Sequence, residues 1–168
     1  MNFIDYKGTV DMDEMYMPML DIKIAGIHSL CYTPGSVEEN TAALIGAIQN
    51  PYVHIISHPG DGTAQVSFEP IVLAAKEAGT LLEINNSSLN PTRHKPLARA
   101  NNLEILRLCK QYEVPVILGS DAHISFAIAN YEHIYPLLQE TEFPEALIVN
   151  HQVNLFKQFL NNKPTHRS

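Results

Sequence analysis

Cysteine is scarce in this sequence, with two in 168 residues. Cys31 and Cys109 show no CxxC spacing, so they exclude a disulfide framework and are expected to be buried thiols in a reducing compartment. Basic residues are also few, 11 Lys+Arg against 18 Asp+Glu, for a formal net charge of −7. That balance leaves no electrostatic footprint for grasping a phosphate backbone, so no nucleic-acid partner is expected. Long hydrophobic runs are missing too: none approaches the roughly 18 to 20 residues of a membrane span, and the N-terminus lacks a basic region followed by an apolar one. A cytoplasmic protein without a membrane partner is the expectation. Several catalytic signatures are absent as well. There is no GxSxG of a hydrolytic triad, and neither GxGxxG nor GxxxxGK[ST] of the nucleotide folds.

What is present is a 45% hydrophobic chain, enough for one domain over 1–168 with a real core, ending in a flexible tail over 161–168. Short apolar runs alternate with segments of helical period. The runs IKIAGI (22–27), VHIIS (53–57), TLLEIN (80–85) and PVILGS (115–120) read as parallel strands buried on both faces. Between them the pattern predicts crossover helices over 36–49, opened by a Ser36/Glu39 capping box, over 67–78, ended by Gly79, and over 102–112, with Leu103, Leu106 and Cys109 on one side. This βαβαβαβ order makes an α/β fold, either an open doubly wound sheet or part of a barrel. After Phe143 two short helices are expected, the second near 154–160. The segment 1–21 reads as a hairpin or loop rather than as a natural domain start.

In parallel α/β folds the C-terminal ends of the strands converge on one face, where sites are built. The four predicted strands end in Gly26-Ile27-His28, Ser57-His58-Pro59-Gly60, Glu83-Ile84-Asn85-Asn86-Ser87 and Gly119-Ser120-Asp121-Ala122-His123. One histidine at such a place reads as a structural hydrogen bond. Three His and one Asp at equivalent positions point to a metal, because imidazole and carboxylate together suit zinc, manganese or iron. The remaining histidines, His54, His94, His133, His151 and His166, read as structural or solvated. Asn85, Asn86 and Ser87 can donate to an anionic substrate, and Arg93, His94, Lys95 and Arg99 follow in a loop suited to a phosphoryl group. A solvated excursion whose Asn and Ser satisfy turns explains that loop equally well. Glu83 shares a strand face with Asn85 and reads as structural.

The segments AGIH, HIISHPG, LEINNSS and LGSDAH, in this order, closely resemble the second half of the PHP (polymerase and histidinol phosphatase) metallohydrolases, and within them the YcdX-type phosphatase branch. The resemblance spans nearly the whole chain. It implies a distorted (β/α)7 barrel that holds up to three divalent metals at the ends of its strands and hydrolyses phosphate monoesters of small molecules. Its metal ligands fall on His28, His58, Asp121 and His123, with no catalytic residue beyond them. His28 and His58 would share one metal, while Asp121 and His123 would each complete a different site. Zinc is the expected cofactor, with manganese or iron as alternatives, and Asn86 and Arg93 are the candidate substrate contacts.

The sequence also departs from that pattern. The family's N-terminal half carries an HxH pair, two further histidines and a bridging glutamate in a G-x-E-x-N segment, none of them present here. With Asn2 aligned on the Asn of that segment, the glutamate would sit just before Met1, so Met1 is expected to be an internal residue of a longer protein or of a disrupted gene. Catalytic zinc usually takes three protein ligands plus water, so such partial sites should bind weakly. A barrel lacking its first strands exposes sheet edges, and a homo-oligomer through those edges is expected. Three readings stay open: a metal-dependent phosphoesterase, a catalytically incomplete domain that binds metal or assembles with a partner, and a metal-free acid–base enzyme.

Overall fold

A computed structural model of the chain describes residues 1–162. Four strands, β1 (Ile24–Ala25), β2 (Ile55–Ile56), β3 (Leu81–Asn85) and β4 (Val116–Gly119), form one sheet. All neighbours are parallel, in the order β1-β2-β3-β4. The order never reverses. Crossovers that advance in one direction with one hand stack their helices on one face, so the reversing doubly wound alternative is not formed among the described residues.

The helices between the strands are α1 (Val37–Gln49), α2 (Phe68–Ala78) and α4 (Ala98–Tyr112), with a single turn, α3 (Asn86–Leu89), directly after β3. α1 opens on the expected capping box: Ser36 Oγ accepts from Glu39 N at 3.2 Å, and Ser36 N donates to Glu39 Oε2 at 2.8 Å. α2 stops where Gly79 turns left-handed at φ 63°. α4 begins four residues before the expected 102. Asn102, read as its start, lies inside the helix, buried, donating to the Ala98 carbonyl at 2.7 Å.

One face of the sheet carries Ala25, Ile56, Leu82, Ile84, Val116 and Leu118, and it packs on Ala43, Leu44, Ala47 and Ile48 of α1, Ile71, Val72 and Ala75 of α2, and Ile105, Leu106 and Cys109 of α4. The other face is only partly covered. Ile55, Leu81 and Ile117 meet Val149 and Leu155, Phe156 and Phe159 of α6 (Val153–Asn162). Ile22 and Ile24, by contrast, remain 40% and 45% exposed. The expectation of burial on both faces therefore fails at β1, where a cavity of about 800 Å³ lies between Ile22 and Val153, Phe156 and Leu160 of α6.

The sheet edges are partly satisfied from within the chain. Along β1, Met1 and Phe3 supply a short parallel partner: the Met1 ammonium donates to the Ile24 carbonyl at 2.8 Å, Gly26 N to the Met1 carbonyl at 3.2 Å, and Phe3 N to the Gly26 carbonyl at 3.2 Å. Along β4, Asn150 acts as a surrogate strand. Leu118 N donates to its Oδ1 at 3.2 Å and its Nδ2 donates to the Leu118 carbonyl at 3.0 Å.

After β4 the chain forms a helix missed by the sequence pattern, α5 (Tyr135–Thr141), then single 3-10 turns at Glu145–Leu147 and Val149–His151 before α6. The segment 1–21 is a loop with one antiparallel bridge, Phe3 to Val10, and a 3-10 turn at Met17–Met19. Cys109 is buried as expected, and desolvation pushes its thiol up to about 12. Cys31 is exposed instead, because it sits in the open turn that follows His28. The tail expected over 161–168 lies, from 163 onward, outside the described residues, as does His166. Among the described residues no helix is long and apolar enough to cross a membrane.

Candidate functional site

Three strand ends deliver His28, His58, Asp121 and His123 to a single cavity of about 370 Å³, which Asp61, Ser87, Arg93 and Lys95 also line. The backbone itself is unusual here. His58 and Asp121 adopt φ of 34° and 51° without capping a helix, a region that non-glycine residues enter at a cost and that clusters at functional sites.

His28 and His58 meet edge to face with ring centroids 4.9 Å apart, and their Nε2 atoms are separated by 3.2 Å. At zinc–nitrogen distances of about 2.0–2.1 Å, two ligands on tetrahedral corners are separated by a little over 3 Å, so this pair fits two corners of one shell. Burial lowers the pKa of His58, against the opposing pull of Asp61, which favours the neutral imidazole that a metal requires. The shell is not completed by its neighbours: among the described residues no three His, Cys, Asp or Glu side chains converge on one point.

Asp121 and His123 leave the same turn with different orientations. His123 Nδ1 lies 2.9 Å from the Asp121 carbonyl oxygen, which can only accept, so Nδ1 carries a proton and Nε2 is free to face outward. Both residues are exposed and line a second, adjoining cavity of about 310 Å³ together with Asn86, Ser87 and Arg93.

Glu83 braces the turn that carries His58. Its Oε2 accepts from His58 N at 2.8 Å and from Asn85 Nδ2 at 3.2 Å, and burial raises its pKa above the ordinary carboxylate range. On the neighbouring strand, where Gly119 pairs with Asn85, a Cβ would fall 1.7 Å from Glu83 Oε1. Glu83 is thus a support for the His58 turn, in keeping with its structural reading.

The candidate substrate residues separate by how far the fold already uses them. Asn85 is withdrawn from any ligand: it is 1% exposed, its Oδ1 accepts from Ser88 N and Oγ, and its amide donates to Glu83. Asn86 is buried, and its Oδ1 accepts from His133 N at 2.9 Å, which clamps the 130–134 loop against the end of β3. Of the basic loop, Lys95 is paired with Asp61 and Arg99 with Glu140. Arg93 remains exposed at both cavities and forms no ion pair among the described residues. His54 conforms to its structural reading, with Nδ1 accepting from Lys23 N at 3.1 Å inside the sheet.

Asp61 went unrecognised in the sequence. It sits three residues after His58 on the same turn, so the signal was an acidic residue directly behind a strand-end histidine.

No protein-family model matches the chain. Among curated proteins it is similar to probable phosphatases of three bacteria. That of Clostridium novyi (strain NT) is 43% identical over 162 residues, covering 96% of this chain and 66% of the relative. That of Caldicellulosiruptor bescii is 45% identical over 159 residues, covering 95% and 65%. That of Acetivibrio thermocellus is 38% identical over 162 residues, covering 96% and 66%. The chain is therefore a relative of proteins named probable phosphatases along nearly its whole length, and it spans slightly under two thirds of theirs.

Proposed function

We propose that the chain carries part of a metal-dependent phosphoesterase site, one that hydrolyses phosphate monoesters of small molecules, within a barrel of PHP type. The observation that carries this reading is the convergence of His28, His58, Asp121, His123 and Arg93, from four separate segments, on one cavity. The names of the relatives support the phosphatase class. The unreversed parallel sheet supports the barrel, with the face that bears Ile55, Leu81 and Glu83 turned inward.

In this reading His28 and His58 hold one divalent cation, zinc first, with manganese or iron as alternatives, while Asp121 and His123 serve neighbouring positions. Such an ion supplies an activated water and stabilises charge on phosphoryl oxygens. Arg93, unpaired at the mouth, offers two parallel N–H donors to those oxygens. Asn86 lines the second cavity as a candidate substrate contact, and its Oδ1 orients the loop around that cavity. Nothing in the 85–99 loop encodes a particular leaving group.

A second reading draws on the absence of three converging donors among the described residues: the 168-residue chain binds metal or a partner but does not turn over by itself. Hydrolysis of p-nitrophenyl phosphate by the chain, with added zinc or manganese and then with excess chelator, separates the two. We expect metal-stimulated release of phosphate that chelation removes and that His58→Ala, by deleting a ligand, abolishes. Full activity in His58→Ala overturns the assignment, and chelator-resistant activity favours metal-free acid–base chemistry. Zinc binding without turnover selects the second reading.

A further inference from the structure

Directly behind His58 lies a buried carboxylate that the hydrolytic reading leaves without a role. Asp61 is 6% exposed and closes the strand-end turn by donating its N–H to the His58 carbonyl at 3.1 Å. Its Oδ1 accepts from Thr63 N at 2.8 Å, and its Oδ2 accepts from Thr63 Oγ1 at 2.8 Å and from the Lys95 ammonium. The same Oδ2 faces His58 Nδ1 at 3.4 Å.

This arrangement restricts the imidazole. A carboxylate held by an ammonium, a hydroxyl and an amide N–H is an acceptor only; at 3.4 Å its charge acts on the ring without a hydrogen bond, and it repels a lone pair on Nδ1 and favours a proton there. His58 Nε2 then presents its lone pair on the opposite side of the ring, where His28 Nε2 lies 3.2 Å away. Metal-bound histidines generally have their other nitrogen fixed in this manner by a carboxylate or carbonyl. Lys95 comes from the basic loop 34 residues further along the chain, so one carboxylate joins the β2 turn to the loop that carries Arg93.

We propose that Asp61 is a positioning residue, which favours His58 as the Nδ1–H tautomer with its Nε2 lone pair directed at the point shared with His28. The consequence for metal affinity rests on the reading of His28 and His58 as one cation's ligands. The tautomer itself does not.

The test uses the full 168-residue chain labelled with 15N-histidine and freed of metal. Long-range 1H–15N correlation spectra at pH 8 report which nitrogen of His58 bears the proton, with its signals assigned by their loss in His58→Gln. Calorimetric zinc titration of the same samples follows. The wild-type chain should show the Nδ1–H form. Asp61→Asn, whose amide can also donate to the ring, should shift His58 toward Nε2–H and weaken zinc binding by about 10–100-fold, while Lys95→Met, which keeps the carboxylate, should retain the Nδ1–H form. Nε2–H in the wild-type chain, or an unchanged tautomer in Asp61→Asn, overturns the proposal. If Asp61→Asn does not fold, the wild-type and Lys95→Met spectra still decide it. A tautomer shift without zinc binding in any sample supports the positioning role and refutes the cation reading.

Discussion

Gly119 and Glu83 show how tightly single residues are constrained around the His58 turn. The carboxylate of Glu83 occupies the space a side chain at 119 would need, with 1.7 Å between Oε1 and a Cβ built there, and it cannot simply rotate away because His58 N and Asn85 Nδ2 both donate to it. Gly119→Ala should therefore destabilise the fold by about 1–3 kcal/mol, the usual cost of overpacking. In a Glu83→Ala background the same substitution should cost less than about 1 kcal/mol, as a double-mutant cycle measured by chemical denaturation would show. Equal costs in both backgrounds would mean the clash is not what requires glycine. At this scale the gathering of His28, His58, Asp121 and His123 on one cavity was legible, because each follows an apolar run at the place where parallel folds build sites. Asp61 and the withdrawal of Asn85 were not. Asp61 is held partly by Lys95, 34 residues away, which no local pattern encodes, whereas Asn85 is taken up by its neighbours Glu83 and Ser88.

Helix ends were more legible than strands. The α1 cap is a local hydrogen-bonded motif, written in Ser36 and Glu39 and formed as written. Ser36→Ala removes the acceptor for Glu39 N and should cost about 1 kcal/mol in chemical denaturation. A loss below about 0.3 kcal/mol would indicate that solvent already competes for that terminus. The strands were located correctly, but β1 and β2 each hold only two ladder residues, fewer than the apolar runs suggested. Hydrophobicity marks what is buried, whereas ladder length depends on the neighbour's register: Ile24 and Ala25 find partners in Ile55 and Ile56, and the flanking residues leave the sheet to form turns. α5 escaped notice for a related reason. Its seven residues, YPLLQET, offer less than two turns of periodicity, and it is held by packing on α4 rather than by its own pattern.

For the whole molecule, the α/β class was readable from the alternation of apolar runs with amphipathic segments, but the choice between a reversing and an unreversed sheet was not. Strand order is set by which helices pack together, and here α1 meets α2 and α2 meets α4 along one face. The second face shows the clearest mismatch with expectation. Ile22 and Ile24 read as core but are exposed, while their neighbours Ile55 and Leu81 are covered by α6 and Val149. At the sheet edges, Met1, Phe3 and Asn150 use backbone groups of β1 and β4 that an associating copy would otherwise have to pair.

Zinc titration of the metal-free chain by calorimetry asks whether the strand ends assemble a cation site around His28 and His58. The expected result is a saturable site of about one zinc per chain that His28→Ala and His58→Ala each remove and that His54→Ala, inside the sheet, leaves in place. Zinc binding undiminished by His28→Ala and His58→Ala, or no binding by the wild-type chain, would contradict it.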